Sequence, residues 1–134
     1  MAINKMHNQY VQNSIYTAAP EELTMMLYNG LVKFVMIAQS GLEENNFEKV
    51  NNNILRAQDI IHEFRATLDK KYEVSRNLDL LYEYMNTRLI EANIKKDKLI
   101  LQEVLGFAKE LRDTWNQAIK IAKTKPVKVA EAAK

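Results

Sequence analysis

Two histidines, three serines, seventeen acidic residues and no cysteine are the raw material for chemistry in this chain of 134 residues. His62 follows Asp59 by three positions, a spacing that sets two metal ligands on one helix face. A bundle di-iron centre needs two such acid-and-histidine motifs and two further carboxylates. Here a single Asp-x-x-His stands alone and His7 lies in a polar N-terminal segment, so no metal site is expected. Ser14, Ser40 and Ser75 lack the strand-turn-helix context of a nucleophile elbow. Gly30, Gly41 and Gly106 are too far apart to form a phosphate-cradling loop. Without cysteine, thiolate zinc sites, iron–sulfur ligation, disulfides and thiol nucleophiles are excluded. No catalytic residue, metal or cofactor is expected, and the chain reads as no enzyme.

Composition bounds the class of the chain. The chain is 47% hydrophobic and 27% charged, the balance of one globular domain. A net charge of +2 gives no reason to expect nucleic acid or an anionic membrane as partner. The polar opening around His7-Asn8-Gln9 has no signal-peptide apolar run. The longest apolar stretch, Phe34-Val35-Met36-Ile37-Ala38, is far too short to span or insert into a bilayer. A cytoplasmic protein is expected.

With few catalytic groups to place, the elements matter for the surfaces they build. Three glycines and two prolines point to long helices with short turns. Phe47, Val50, Ile54, Ala57, Ile61, Phe64 and Leu68 follow three-four spacing and predict one core-facing seam. Leu101, Val104, Ala108, Leu111, Trp115, Ala118 and Ala122 predict another, and Val74, Leu78, Leu81, Met85, Leu89 and Ala92 a rougher third. Pro20 suits a first helical position, with Glu21 and Glu22 at the positive end of the helix dipole. Asn46, Ser75 and Asp97 are the expected N-caps of the later helices. Short connections near 44–46, 70–74 and 93–96 make neighbours antiparallel. The expected fold is all-α, an antiparallel up-down-up-down four-helix bundle with a short N-terminal helix or arm. The arm covers 1–18, the bundle 19–122 and a C-terminal tail 123–134. Gly30 and Gly106 are expected to permit close helix approach. Tyr28 and Tyr82 are expected at the edge of the core.

The first bundle helix is apolar on more than one face. Glu22, Asn29, Lys33 and Ser40 fall within a stripe about 40° wide. Leu23, Leu27, Gly30, Phe34 and Ala38 make the expected core face, and Met25, Val32 and Met36 lie beyond the polar stripe. Either the N-terminal arm covers this second face or a partner does, and flexible methionines suit a partner groove. The expected contact surface is Tyr10, Ile15, Met25, Val32, Met36, Leu80 and Tyr84.

Segments from all four helices resemble one known family. They are Thr17-Ala18-Ala19-Pro20-Glu21-Glu22-Leu23, Met26-Leu27-Tyr28-Asn29-Gly30, Ala57-Gln58-Asp59-Ile60-Ile61 and Asn77-Leu78. Leu81-Tyr82-Glu83-Tyr84-Met85, Leu89-Ile90-Glu91-Ala92-Asn93 and Leu111-Arg112-Asp113-Thr114-Trp115 continue the likeness. Their order and spacing resemble the FliS family of flagellin export chaperones. The resemblance implies a cytoplasmic, non-enzymatic helix bundle that binds the disordered C-terminal segment of flagellin. It implies prevention of premature polymerisation and, when loaded, delivery to the export gate of the flagellar type III apparatus. It also implies an N-terminal arm that covers part of an apolar groove, with Tyr10 matching the family's arm tyrosine. His7 stands where relatives often carry an apolar residue. A generic bundle adaptor for another amphipathic peptide shares the physical arguments and lacks only the family motifs.

Overall fold

The computed structural model describes residues 19–124. They form four α-helices with no strand among them: α1 (Pro20–Glu43), α2 (Phe47–Thr67), α3 (Glu73–Lys95) and α4 (Lys98–Thr124). The expected arm over 1–18 and most of the expected tail lie outside the described residues, and α4 runs through Lys123.

Local chemistry sets the ends of these helices. Pro20 occupies the first turn of α1, where its missing N–H costs nothing, beside Glu21 and Glu22. The Asn46 side chain accepts from the Lys49 N–H at 3.1 Å and starts α2. Asp97 Oδ1 accepts from the amides of Leu99 at 2.8 Å and Ile100 at 3.4 Å and starts α4. Ser75 is not the cap of α3. That helix starts two residues earlier, after an extended Tyr72 whose side chain makes no capping bond, and Ser75 is buried in the first turn.

The helices form a ring in which α1 packs on α2 and α4, and α3 packs on α2 and α4. Antiparallel registers follow from the side-chain pairs. Asn51, Gln58 and Arg65, rising along α2, meet Asn93, Asn86 and Asp79, falling along α3. Gly30 and Gly41 of α1 face Ile60 and Val50 of α2. At the far side of the ring, Trp115 near the end of α4 bonds to Glu21 at the start of α1.

The core holds Leu31, Val35, Val50, Ile54, Ile61, Met85, Leu89, Leu101 and Val104, all fully buried. Completely burying each such side chain stabilises the fold by roughly 1.5–3 kcal/mol relative to exposure. Several seam positions behave otherwise. Phe47 and Val74, at the first turns of α2 and α3, are exposed, and so are Ala118 and Ala122 near the end of α4. On α1 the buried face is Tyr28, Leu31, Val32, Val35, Ala38 and Gly41, so of the expected core face only Ala38 is fully inside. Leu27 and Phe34 are half-buried at its margin. A helix at one corner of a ring must face two neighbours, which widens and rotates its apolar arc.

The glycines agree with expectation only in part. A β-carbon at Gly41 would lie 2.9 Å from Val50 Cγ2 and 3.1 Å from the Val50 amide nitrogen, so the backbones of α1 and α2 come close here. At Gly30 it would be crowded by the end of the Ile60 side chain at 3.1 Å, with Phe34 Cε2 at 3.9 Å, so a close approach is present there as expected, whereas at Gly106 it would meet nothing within 4 Å.

Candidate functional site

Tyr28 on α1 and Tyr82 on α3 lie on diagonally opposed helices and are buried, not at the core edge. Their hydroxyls meet at 2.7 Å. Phe64 of α2 stacks on both rings, with centroids 4.4 Å and 5.4 Å away. Burial pushes both phenols above their ordinary pKa, and the shared hydrogen bond raises Tyr82 further. This stack forms a rigid base at one end of the bundle.

Two hollows open above it, on either side of Trp115 and Ala118. One, of about 530 Å³, lies towards α1 and is lined by Glu21, Trp115, Ala118, Ile119, Ala122 and Lys123. The other, of about 250 Å³, is lined by Tyr28, Leu78, Leu81, Phe107, Leu111 and Trp115, with Glu110 and Thr114 at its polar part. The indole Nε1 donates to the Glu21 carbonyl oxygen at 3.0 Å, which ties the first turn of α1 to α4. From that level α4 continues for more than two turns, so its last apolar residues have few neighbours inside the bundle.

Tyr84 adjoins this region. Its ring meets Phe107 edge-on at 6.0 Å, and its hydroxyl donates to Glu103 at 3.0 Å. Glu103 also accepts from Arg88 at 2.9 Å, which holds its carboxyl below the usual range, and the Glu103 bond raises the Tyr84 phenol. Apolar walls, a rim of paired charges and a fixed indole can hold apolar side chains of a peptide. Among the described residues no cluster of three or more potential metal ligands occurs, and His62 and Asp59 are both exposed.

The expected contact residues are placed unevenly. Tyr10 and Ile15 lie outside the described residues. Met25 is half-buried and Met36 is 49% exposed on α1. Val32 is buried in the core and offers no surface, because α1 packs on two helices and its apolar arc is wide. Leu80 and Tyr84, 63% and 44% exposed, share one face of α3 a turn apart. The structure therefore brings Leu80 and Tyr84 together and leaves the methionines on the diagonally opposed helix. Trp115, Phe107, Leu111 and Ile119 were missing from that surface. The available signal was the α4 seam, whose apolar positions run on to Ala122 in the longest of the four helices.

Comparison with known proteins bears on this arrangement. The sequence pattern of a family described as flagellar protein FliS matches residues 2–122. The flagellar secretion chaperone FliS of Bacillus subtilis (strain 168) is 45% identical over 119 residues, covering 89% of this chain and 90% of that protein. The flagellar secretion chaperone FliSB of Pseudomonas aeruginosa is 34% identical over 118 residues, 84% of this chain and 94% of that protein. FliS of Escherichia coli (strain K12) is 29% identical over 112 residues, 81% and 82% respectively.

Proposed function

From the premise that this chain belongs to the FliS family, a family of flagellar secretion chaperones and not of enzymes, we propose that its client is flagellin. It binds the disordered C-terminal segment of flagellin in the cytoplasm, keeps the subunit from polymerising early, and, once loaded, presents it to the export gate. No described helix is long and apolar enough to cross a membrane. The observation that carries the reading is the pair of apolar hollows around Trp115, continued by exposed Leu80 and Tyr84.

The bundle supplies a preformed apolar surface, and the client segment folds onto it, partly as helix. Ordering a disordered chain is costly, so the contact must be large. Burying roughly 1,500 Å² at about 25 cal/mol per Å² gives tens of kcal/mol gross, most of it offset by that ordering. Residues 1–18, with Tyr10 and Ile15, act as the arm that covers part of the apolar groove until the client displaces it. Residues 19–122 lie within the bundle, whose last helix runs on to Thr124. Met25, Met36, Leu80 and Tyr84 touch the client, and Val32 supports that surface from beneath.

Calorimetric titration with the C-terminal segment of flagellin from the same organism tests the proposal. A one-to-one complex with negative heat-capacity change and a gain of helix by circular dichroism is expected. A folded chaperone that gives no heat and no helix gain with intact peptide defeats it, and leaves a bundle adaptor for another client.

A further inference from the structure

At the end of the bundle away from Trp115, where α1 turns into α2 and α3 into α4, lies a hollow of about 560 Å³. Leu42 and Phe47 give it apolar wall, and Asn45 and a glutamine from each of α1 and α4 bring amides. Lys96 and Lys98 bring two ammonium groups against one carboxylate, that of Glu43.

The backbone here is unusual. Asn45 at φ 55° and Lys96 at φ 52° are the non-glycine residues with left-handed backbone among those described, and both line this hollow. A β-carbon is crowded by the carbonyl oxygen in that conformation, which is why glycine, or less often asparagine, ends most helices of this kind. Lysine at position 96 is therefore not explained by the turn. Its ammonium donates to Asn93 Oδ1 and stands 5.9 Å from the centre of the exposed Phe47 ring, which leaves it further donors. Lys98 is exposed and joins none of the ion pairs among the described residues.

We propose that this hollow captures a carboxylate of the client, and that the carboxylate is the α-carboxylate at the client's chain end. This deepens the flagellin reading and rests on it, because a bound C-terminal segment must end in such a group. The two ammonium groups take the carboxylate oxygens, the amides take the last peptide unit, and Leu42 and Phe47 receive the final side chain. Ammonium groups hold a carboxylate through charge-assisted hydrogen bonds, which are about twice as strong as neutral ones.

The experiment titrates the full chain with the flagellin C-terminal peptide as free acid and as C-terminal amide. The free acid is expected to bind about two- to fivefold more tightly, as one exposed charge-assisted contact supplies. Lys96→Gly and Lys98→Ala are expected to close that gap and to leave the amide's affinity unchanged, and Lys96→Arg to keep it. Lys96→Gly also relieves the left-handed strain, so its unfolding midpoint rises while discrimination is lost, a combination that a purely structural lysine does not produce. Equal affinity for acid and amide overturns the proposal and leaves the flagellin reading standing. Equal affinity with a uniform loss in both lysine variants reassigns the hollow to a side-chain carboxylate and overturns the chain-end assignment. Binding of neither peptide overturns both.

Discussion

The Tyr28 and Tyr82 hydroxyls have each other for partners at 2.7 Å inside a largely apolar core. Tyr82→Phe leaves the Tyr28 hydroxyl buried without its partner, and a loss of about 1–2 kcal/mol in denaturant unfolding is expected. The pair also sets an alkaline limit. Both phenols have raised pKa values in the fold, and an unfolded tyrosine ionises near 10. Stability from this source is complete below about pH 10 and falls as the pH climbs towards the raised folded values, because the unfolded chain loses its protons first. Unfolding midpoints followed from pH 8 upward will show this decline, shallower in Tyr82→Phe. Both tyrosines were legible as core-related from helical spacing. The hydroxyl partner was not, since it lies 54 residues away in sequence and only the packed fold brings it near. Asn46 and Asp97, in contrast, were legible as caps because a cap acts within three residues of itself.

At the scale of elements, the number of helices and the starts of α1, α2 and α4 followed from turn residues and spacing, while the start of α3 and the face that each helix buries depended on neighbours. The α2 seam read correctly from Val50 to Phe64, because that stretch presents one narrow stripe to the core. The α1 face was misread because two neighbours share it. The glycines make the same distinction measurable. Gly41→Ala drives a β-carbon against backbone atoms of Val50 and Asn46 and is expected to cost about 1–3 kcal/mol. Gly106→Ala meets nothing and is expected to stabilise α4 by roughly 0.5–1 kcal/mol. Thermal unfolding of the two variants, moving in opposite directions, checks both. Between α2 and α3 the polar pairs recur every seven residues, Asn51–Asn93, Gln58–Asn86 and Arg65–Asp79. Arg65 bonds Asp79 and holds its carboxyl below the usual range, and each slip of one turn breaks all three pairs.

The whole molecule offers separate surfaces on α1 and α3, which do not adjoin each other in the ring. A client that wraps the bundle meets Met36 and Leu80 through different parts of its chain. Met36→Asp and Leu80→Asp should each weaken flagellin-segment binding about tenfold or more, and the double variant should lose the product of the two within a factor of about two. Calorimetry on the three variants, with helicity held constant, measures it, and a loss confined to one site means the client covers a single face. Val32→Asp is the control, since a buried carboxylate there is expected to unfold the protein. The family was legible across most of the chain, but the hollows around Trp115 were not, since they arise where helices of unequal length end. Four rods joined in a square shear easily into a rhombus unless something braces the diagonal. The Tyr28–Tyr82 link lies on that diagonal, with Phe64 wedged alongside. An occupant that shears the ring must therefore strain this brace, so the hollows resist any widening that comes by shear.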